Sequence, residues 1–157
     1  MNGRGRRATA RPAPAPNAQS WTNDAWIFAS LVGTDRTTLT EQLWRADAIN
    51  HAVPTAAEIR TSLRHLHARG LVTVRGRTIG LSARGRRLHA AVFRRKGGLF
   101  SIVANVDTAL ATSSLPRRAP VPPALAFVTA SAVHRAYVEY AAAASAAFRS
   151  LQDRPGI

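Results

Sequence analysis

No cysteine occurs among the 157 residues. Disulfides and thiolate metal sites are therefore excluded, and a reducing compartment is compatible with the composition. No apolar run approaches the ~20 residues that span a bilayer. Arg6-Arg7 is a twin arginine, but no apolar segment follows it, so no signal peptide is read and a cytoplasmic protein is expected. Aromatic residues are scarce at 6%, and much of the 46% hydrophobic content is alanine, which predicts a single domain with a small core plus appendages. Lysine is nearly absent, Lys96 being the one example.

Acid is missing from one place in particular. The formal charge is +14, and residues 54–98 hold eleven of the 22 basic residues against Glu58 alone. Residues 21–53, by contrast, carry Asp24, Asp35, Glu41 and Asp47 against Arg36 and Arg45. A coding preference explains arginine in place of lysine; it does not explain acids avoiding one stretch. Localised positive charge of this kind calls for a polyanion, and nucleic acid is the expected partner.

Residues 1–20, MNGRGRRATARPAPAPNAQS, hold four arginines and almost no large apolar residue, and read as a disordered basic arm. A first helix is predicted from about Asn23 to Leu31, capped by Thr22 or Asn23, with Gly33 and Asp35 breaking it. A second starts after Thr38, because Thr38-Leu-Thr-Glu41 has the spacing of a capping box. Pro54 ends it, since the residue before proline is pushed out of the α region. Thr55-Ala-Ala-Glu58 repeats the box and opens a third helix. Ala56, Ile59, Leu63 and Leu66 form its apolar stripe, and Gly70 ends it. At 100° per residue, Ala57, Thr61, Arg64 and Ala68 point away from that stripe, flanked by Arg60 and His67 on one side and His65 on the other.

Residues 71–81, LVTVRGRTIGL, then predict a β-hairpin. A two-residue loop at Gly76-Arg77 sets Val74 against Ile79 and Val72 against Leu81, so four apolar side chains share one face. Thr73, Arg75, Thr78 and Gly80 take the other. Ser82 caps a fourth helix, along which Leu88, Ala91, Val92 and Arg95 lie until Gly97-Gly98. A fifth runs over about 99–112, with Leu99, Ile102, Val103, Val106 and Leu110. SSLPRRAPVPP, 113–123, is a linker by composition. After it, 124–152 reads as one long helix, where Val133, Tyr137, Tyr140, Ala144, Phe148 and Leu151 recur in a nearly heptad seam.

The stretch IRTSLRHLHARGLVTVRGRTIGLSARGRRL, 59–88, resembles the segment shared by MarR-like and PadR-like bacterial regulators: a capped helix ending in Arg-Gly-Leu-Val, a short hairpin, then Leu-Ser-x-x-Gly-Arg opening a helix. The resemblance implies a fold that is mainly α with a small β-hairpin, a winged helix-turn-helix plus a long C-terminal helix. It also implies a transcriptional regulator that binds double-stranded DNA and catalyses nothing. In that family the helix before the wing enters the major groove and the wing tip meets the backbone or minor groove. Carried over, Ala57, Arg60, Thr61 and Arg64 face bases or phosphates, Arg75 and Arg77 are wing-tip contacts, and Thr55 with the exposed amides of the helix start can hold a phosphate. Arg84, Arg86 and Arg87 add charge at the next helix. Residues 124–152 either pair two subunits or fold back on their own domain. One departure stands out: RADAINHAVPT lengthens the connection into the third helix beyond the usual 3–4-residue turn. Winged helices also serve as protein-binding modules, so a basic interaction module is the alternative.

Other chemistry is sparse. His65 and His67 lie about 200° apart on a helix and cannot share one ion. With no cysteine and few carboxylates, no metal or other cofactor is expected, and no effector ligand is specified. Asp47 and His51 suit a local hydrogen bond at a helix end, without a nucleophile to make a dyad. Trp21, Trp26 and Trp44 fall in the least basic region and read as core or interface.

Overall fold

The structure, a computed structural model, describes residues 22–31, 36–94, 99–113 and 121–152; the side chains of Leu99, Phe100, Leu151 and Gln152 lie outside that description. The expected arm over 1–20, Trp21, the breakers Gly33 and Asp35, the stop at Gly97-Gly98 and most of the 113–123 linker lie outside the described residues.

The elements are α1 (Asn23–Ser30), α2 (Leu39–Asn50), α3 (Ala56–Ala68), β1 (Val72–Arg75), β2 (Thr78–Leu81), α4 (Ala83–Phe93), α5 (Leu99–Thr112) and α6 (Ala130–Gln152). The fold is a winged helix-turn-helix with a long C-terminal helix. α1 is the central element: Ala25 through Leu31 are all buried, and the helix packs on α2, α3 and α5. Trp26 joins this core and donates its indole N–H to the Ala46 carbonyl at 2.9 Å.

Local sequence rules account for the element ends. In both capping boxes the glutamate returns to its threonine: Thr38 N–H donates to Glu41 Oε2 at 2.8 Å, and Thr55 N–H to Glu58 Oε2 at 2.7 Å. α3 closes in a Schellman motif. Gly70 sits at φ +66°, its N–H donates to the His67 carbonyl, and Leu71 N–H reaches back to Leu66. Leu66 and Leu71, the apolar pair that accompanies such a motif, are both buried. The connection between α2 and α3 is residues 51–55, with His51 in the left-handed region at φ 50°. The extra residues of RADAINHAVPT therefore divide between a longer α2 and a five-residue turn.

The hairpin has the expected register, Val72↔Leu81 and Val74↔Ile79. Gly76 takes φ +58° at its tip, which a Gly-X loop requires. Thr37 adds a third rung: it exchanges backbone hydrogen bonds of 2.7 and 2.9 Å with Ile79, so the segment before α2 pairs with β2. Gly80 is buried rather than open on the outer face.

α4 buries a face that its sequence pattern does not single out. Gly85, His89 and Val92 are buried, whereas Ala91 is exposed. Gly85 has a steric reason: a Cβ there would lie 1.9 Å from the Leu71 carbonyl oxygen. The glycine of the Leu-Ser-x-x-Gly-Arg phrase thus lets the helix start press against the strand start.

α6 corrects the sequence reading most. It begins at Ala130, not at 124, because residues 121–129 are spent as an irregular strap that buries Leu125 and Val128. Thr129 then caps the helix, its Oγ1 accepting from Ala132 N–H at 3.1 Å. The first half folds back on α2. Ala132, Val133 and Ala136 are buried, Thr40 donates to Glu139, and the Tyr140 hydroxyl donates to Asp47 at 2.6 Å. The expected seam does not form the fold-back face as a whole. Val133 is covered, but Tyr137 is 41% and Phe148 63% exposed, and Ala144 is also open.

Candidate nucleic-acid interface

α3 presents its outer face to water. Ala57, Thr61, Arg64 and Ala68 are all exposed, as the 3.6-residue period requires once Ile59, Leu63 and Leu66 go inward. Arg64 has no hydrogen-bond or ion-pair partner among the described residues.

The two edges of that face differ. On one, Arg60 is half-buried and donates from Nη1 to the Val128 carbonyl at 2.6 Å. The strap and the first turns of α6 lie along this edge, where Ala130, Val133, His134 and Tyr137 line a hollow with the α3 N-terminus at Pro54, Thr55 and Ala56. Arg60, expected as a reader, is thus engaged by its own chain. On the other edge the groups are acidic. Asp24 Oδ2 lies 3.1 Å from His65 Nδ1, and Glu58 accepts from Asn23 Nδ2 at 3.3 Å.

Thr55 is exposed, but its own donors are taken, and the Glu58 amide donates back to its hydroxyl at 3.2 Å. Glu58 accepts from both the Thr55 amide and its hydroxyl, at 2.7 and 2.8 Å. A carboxylate already occupies the positive end of the α3 dipole, which opposes a phosphate at the same place.

The wing tip is open. Arg75 and Arg77 are exposed, and their side chains have no hydrogen-bond or ion-pair partner among the described residues. The hairpin strands carry the tip back alongside the fold, so that Arg77 lines a hollow with Leu39 and Thr40 of α2 and with Phe127, Arg135 and Glu139 of the C-terminal segment. Arg84, Arg86 and Arg87 belong to the opposite end of the hairpin, roughly 13 Å away along four strand residues. Arg86 folds back to donate to the Leu81 carbonyl at 2.9 Å. Arg84 and Arg87 line a separate hollow with Leu71 and Ser113. The residues expected to touch nucleic acid are thus distributed over three elements. Arg64, Thr61 and Ala57 form an exposed helix face, Arg75 and Arg77 an exposed tip, and the α4 arginines a third group.

Arg135 was missed by sequence reading. It sits in an alanine-rich helix with no motif around it, and only the fold-back brings it beside Arg77. Burial lowers the pKa of His67 below the ordinary histidine value, so that side chain adds little positive charge to the α3 edge at neutral pH. Among the described residues no group of three or more His, Cys, Asp or Glu side chains could hold a metal ion. Nor is any helix there long and apolar enough to cross a membrane.

No protein-family model matches the chain, and no curated protein or solved structure matches it.

Proposed function

We propose that this chain is a winged-helix DNA-binding protein of the MarR-like or PadR-like kind, acting as a cytoplasmic transcriptional regulator. The observation that carries the reading is the pairing of two exposed elements whose arginine side chains have no ion-pair partner among the described residues. The outer face of α3 holds Ala57, Thr61 and Arg64, and the wing tip holds Arg75 and Arg77. Small residues around one arginine let a helix approach base edges closely, and arginine is the common reader of guanine. The tip arginines suit phosphate. The mechanism is binding, with no reaction catalysed. A second copy is the partner proposed for the open part of α6, where Tyr137 and Phe148 stay exposed.

The test is titration with random-sequence duplex across a salt series. About five or more phosphate contacts give a log–log slope of about −4.5 or steeper. Arg64→Ala affects preferred sites most. A flat salt response ends the reading.

A second reading is favoured by the tie between Arg60 and Val128 and by the acids Asp24 and Glu58 on the far edge of α3. With one edge covered and the other negative, the same fold suits a protein-interaction module whose basic charge steers an acidic partner. Indifference to duplex together with a stoichiometric complex with one acidic protein separates it from the first.

A further inference from the structure

The hollow between the wing tip and α6 is lined by two arginines from elements far apart in sequence, Arg77 and Arg135. Its volume is about 220 Å³ and its walls are mainly polar, room for one tetrahedral oxyanion with water around it. Both arginines are exposed, and neither has a hydrogen bond or ion pair with any described residue. Glu139 shares the hollow, but its carboxylate accepts from Thr40 Oγ1 at 3.0 Å and makes no ion pair within 4.0 Å with any described residue. The three charged groups therefore sum to one positive charge, which a phosphodiester neutralises.

Rigid supports hold both walls. The hairpin is fixed to the segment before α2 by the paired Thr37–Ile79 hydrogen bonds. The start of α6 is fixed by the Arg60–Val128 bond and by the buried Val128, Ala132 and Ala136. Two guanidinium forks mounted this way meet a phosphate without ordering a loop first, and the fork geometry matches phosphate oxygens.

We infer that this hollow is a phosphate-binding site in which Arg77 and Arg135 grip one phosphoryl group. In the DNA-bound state that group is a backbone phosphate beside the wing, an assignment that rests on the DNA-binding reading; the phosphate chemistry of the hollow does not. α6 then supplies a contact to the nucleic acid, besides packing on α2.

The experiment has two arms. In the first, the arginine Nε–H signals of the full chain are followed by NMR during titration with inorganic phosphate at low salt. Saturable shifts of Arg77 and Arg135 are expected. Arg135→Ala weakens binding roughly tenfold, as loss of a charge-assisted hydrogen bond does, and Glu139→Gln tightens it. In the second arm, random-sequence duplex is titrated against salt. Arg135→Ala makes the slope shallower by about 0.9, one phosphate contact. Arg135 is exposed, so the variant keeps its fold. Arg135 signals unmoved by saturating phosphate, with an unchanged duplex slope, overturn the inference and leave the DNA reading standing. Phosphate shifts on a wild-type chain that ignores duplex do the reverse: they support the site for a free phosphoryl ligand and end the DNA reading.

Discussion

The tripeptide Arg-Gly-Arg occurs twice around the hairpin, as Arg75-Gly76-Arg77 at the tip and Arg84-Gly85-Arg86 at the base. The letters are the same and the roles are not. Gly76 is there for its backbone: φ is +58°, and a Cβ would meet nothing within 4 Å. Gly85 is there for its missing side chain, because a Cβ would run into the Leu71 carbonyl. The arginines divide likewise. Those at the tip are exposed and unpartnered among the described residues, whereas Arg86 folds onto the Leu81 carbonyl. Net charge is therefore a poor measure of binding charge. What counts is which guanidinium groups the fold leaves unused.

The sharpest way to break this contrast is Gly85→Ala. The clash is with backbone, which cannot swing away, so a loss of about 3 kcal/mol or more is expected in urea unfolding, at the upper end of overpacking effects. A neutral result would show that α4 and β1 are not pressed together. Next in size is Arg75→Ala combined with Arg77→Ala. The duplex-binding slope should become shallower by about 1.8, two contacts, with weakening at all sequences alike and an unchanged denaturation midpoint. If Arg86→Ala alone makes the slope shallower by about 0.9, the share of one tip arginine, tip and base act as one patch and the distinction fails. Gly76→Ala comes third, costing about 1 kcal/mol for a left-handed non-glycine residue, with Gly76→Asn milder.

The mildest perturbation is pH. The base of the wing leads into His89, whose ring is buried, stacked 4.0 Å from Phe93 and tilted against Phe28. Its Nε2 has no hydrogen-bond partner among the described residues, and burial lowers its pKa below the ordinary 6.5. The unfolded chain thus binds a proton that the folded chain resists. The stability this contributes is present above the unfolded value of about 6.5 and is lost as pH falls through the lower folded value. Denaturant midpoints should drop between pH 7 and pH 5, and His89→Phe should flatten that dependence. A midpoint as steeply dependent on pH in the variant would assign the effect elsewhere, His67 first.

Much of the fold was legible because its signals are local. Both capping boxes, the Gly70 termination of α3 and the Val72↔Leu81 register depend on partners that lie close along the chain. Periodicity correctly turned Ala57, Thr61 and Arg64 outward. It set no face for α4, where a histidine went inward and an alanine outward, because alanine and histidine carry weak preferences and the neighbours decided. It failed at 124–129, where high alanine and apolar content suggested helix. Leu125 and Val128 are worth more as buried anchors than as turns of an isolated helix.

The sequence by itself determined where helices start, how the hairpin is registered and which face of α3 is wet, since each depends on dihedral preference or hydrogen bonds among near neighbours. Only the tertiary structure decided which arginines remain available. Arg60 meets a carbonyl 68 residues away, and Arg135 comes to share a hollow with Arg77. Such pairings depend on how α6 lies across α2, a packing that buries small side chains and leaves no pattern along the chain from which to read it.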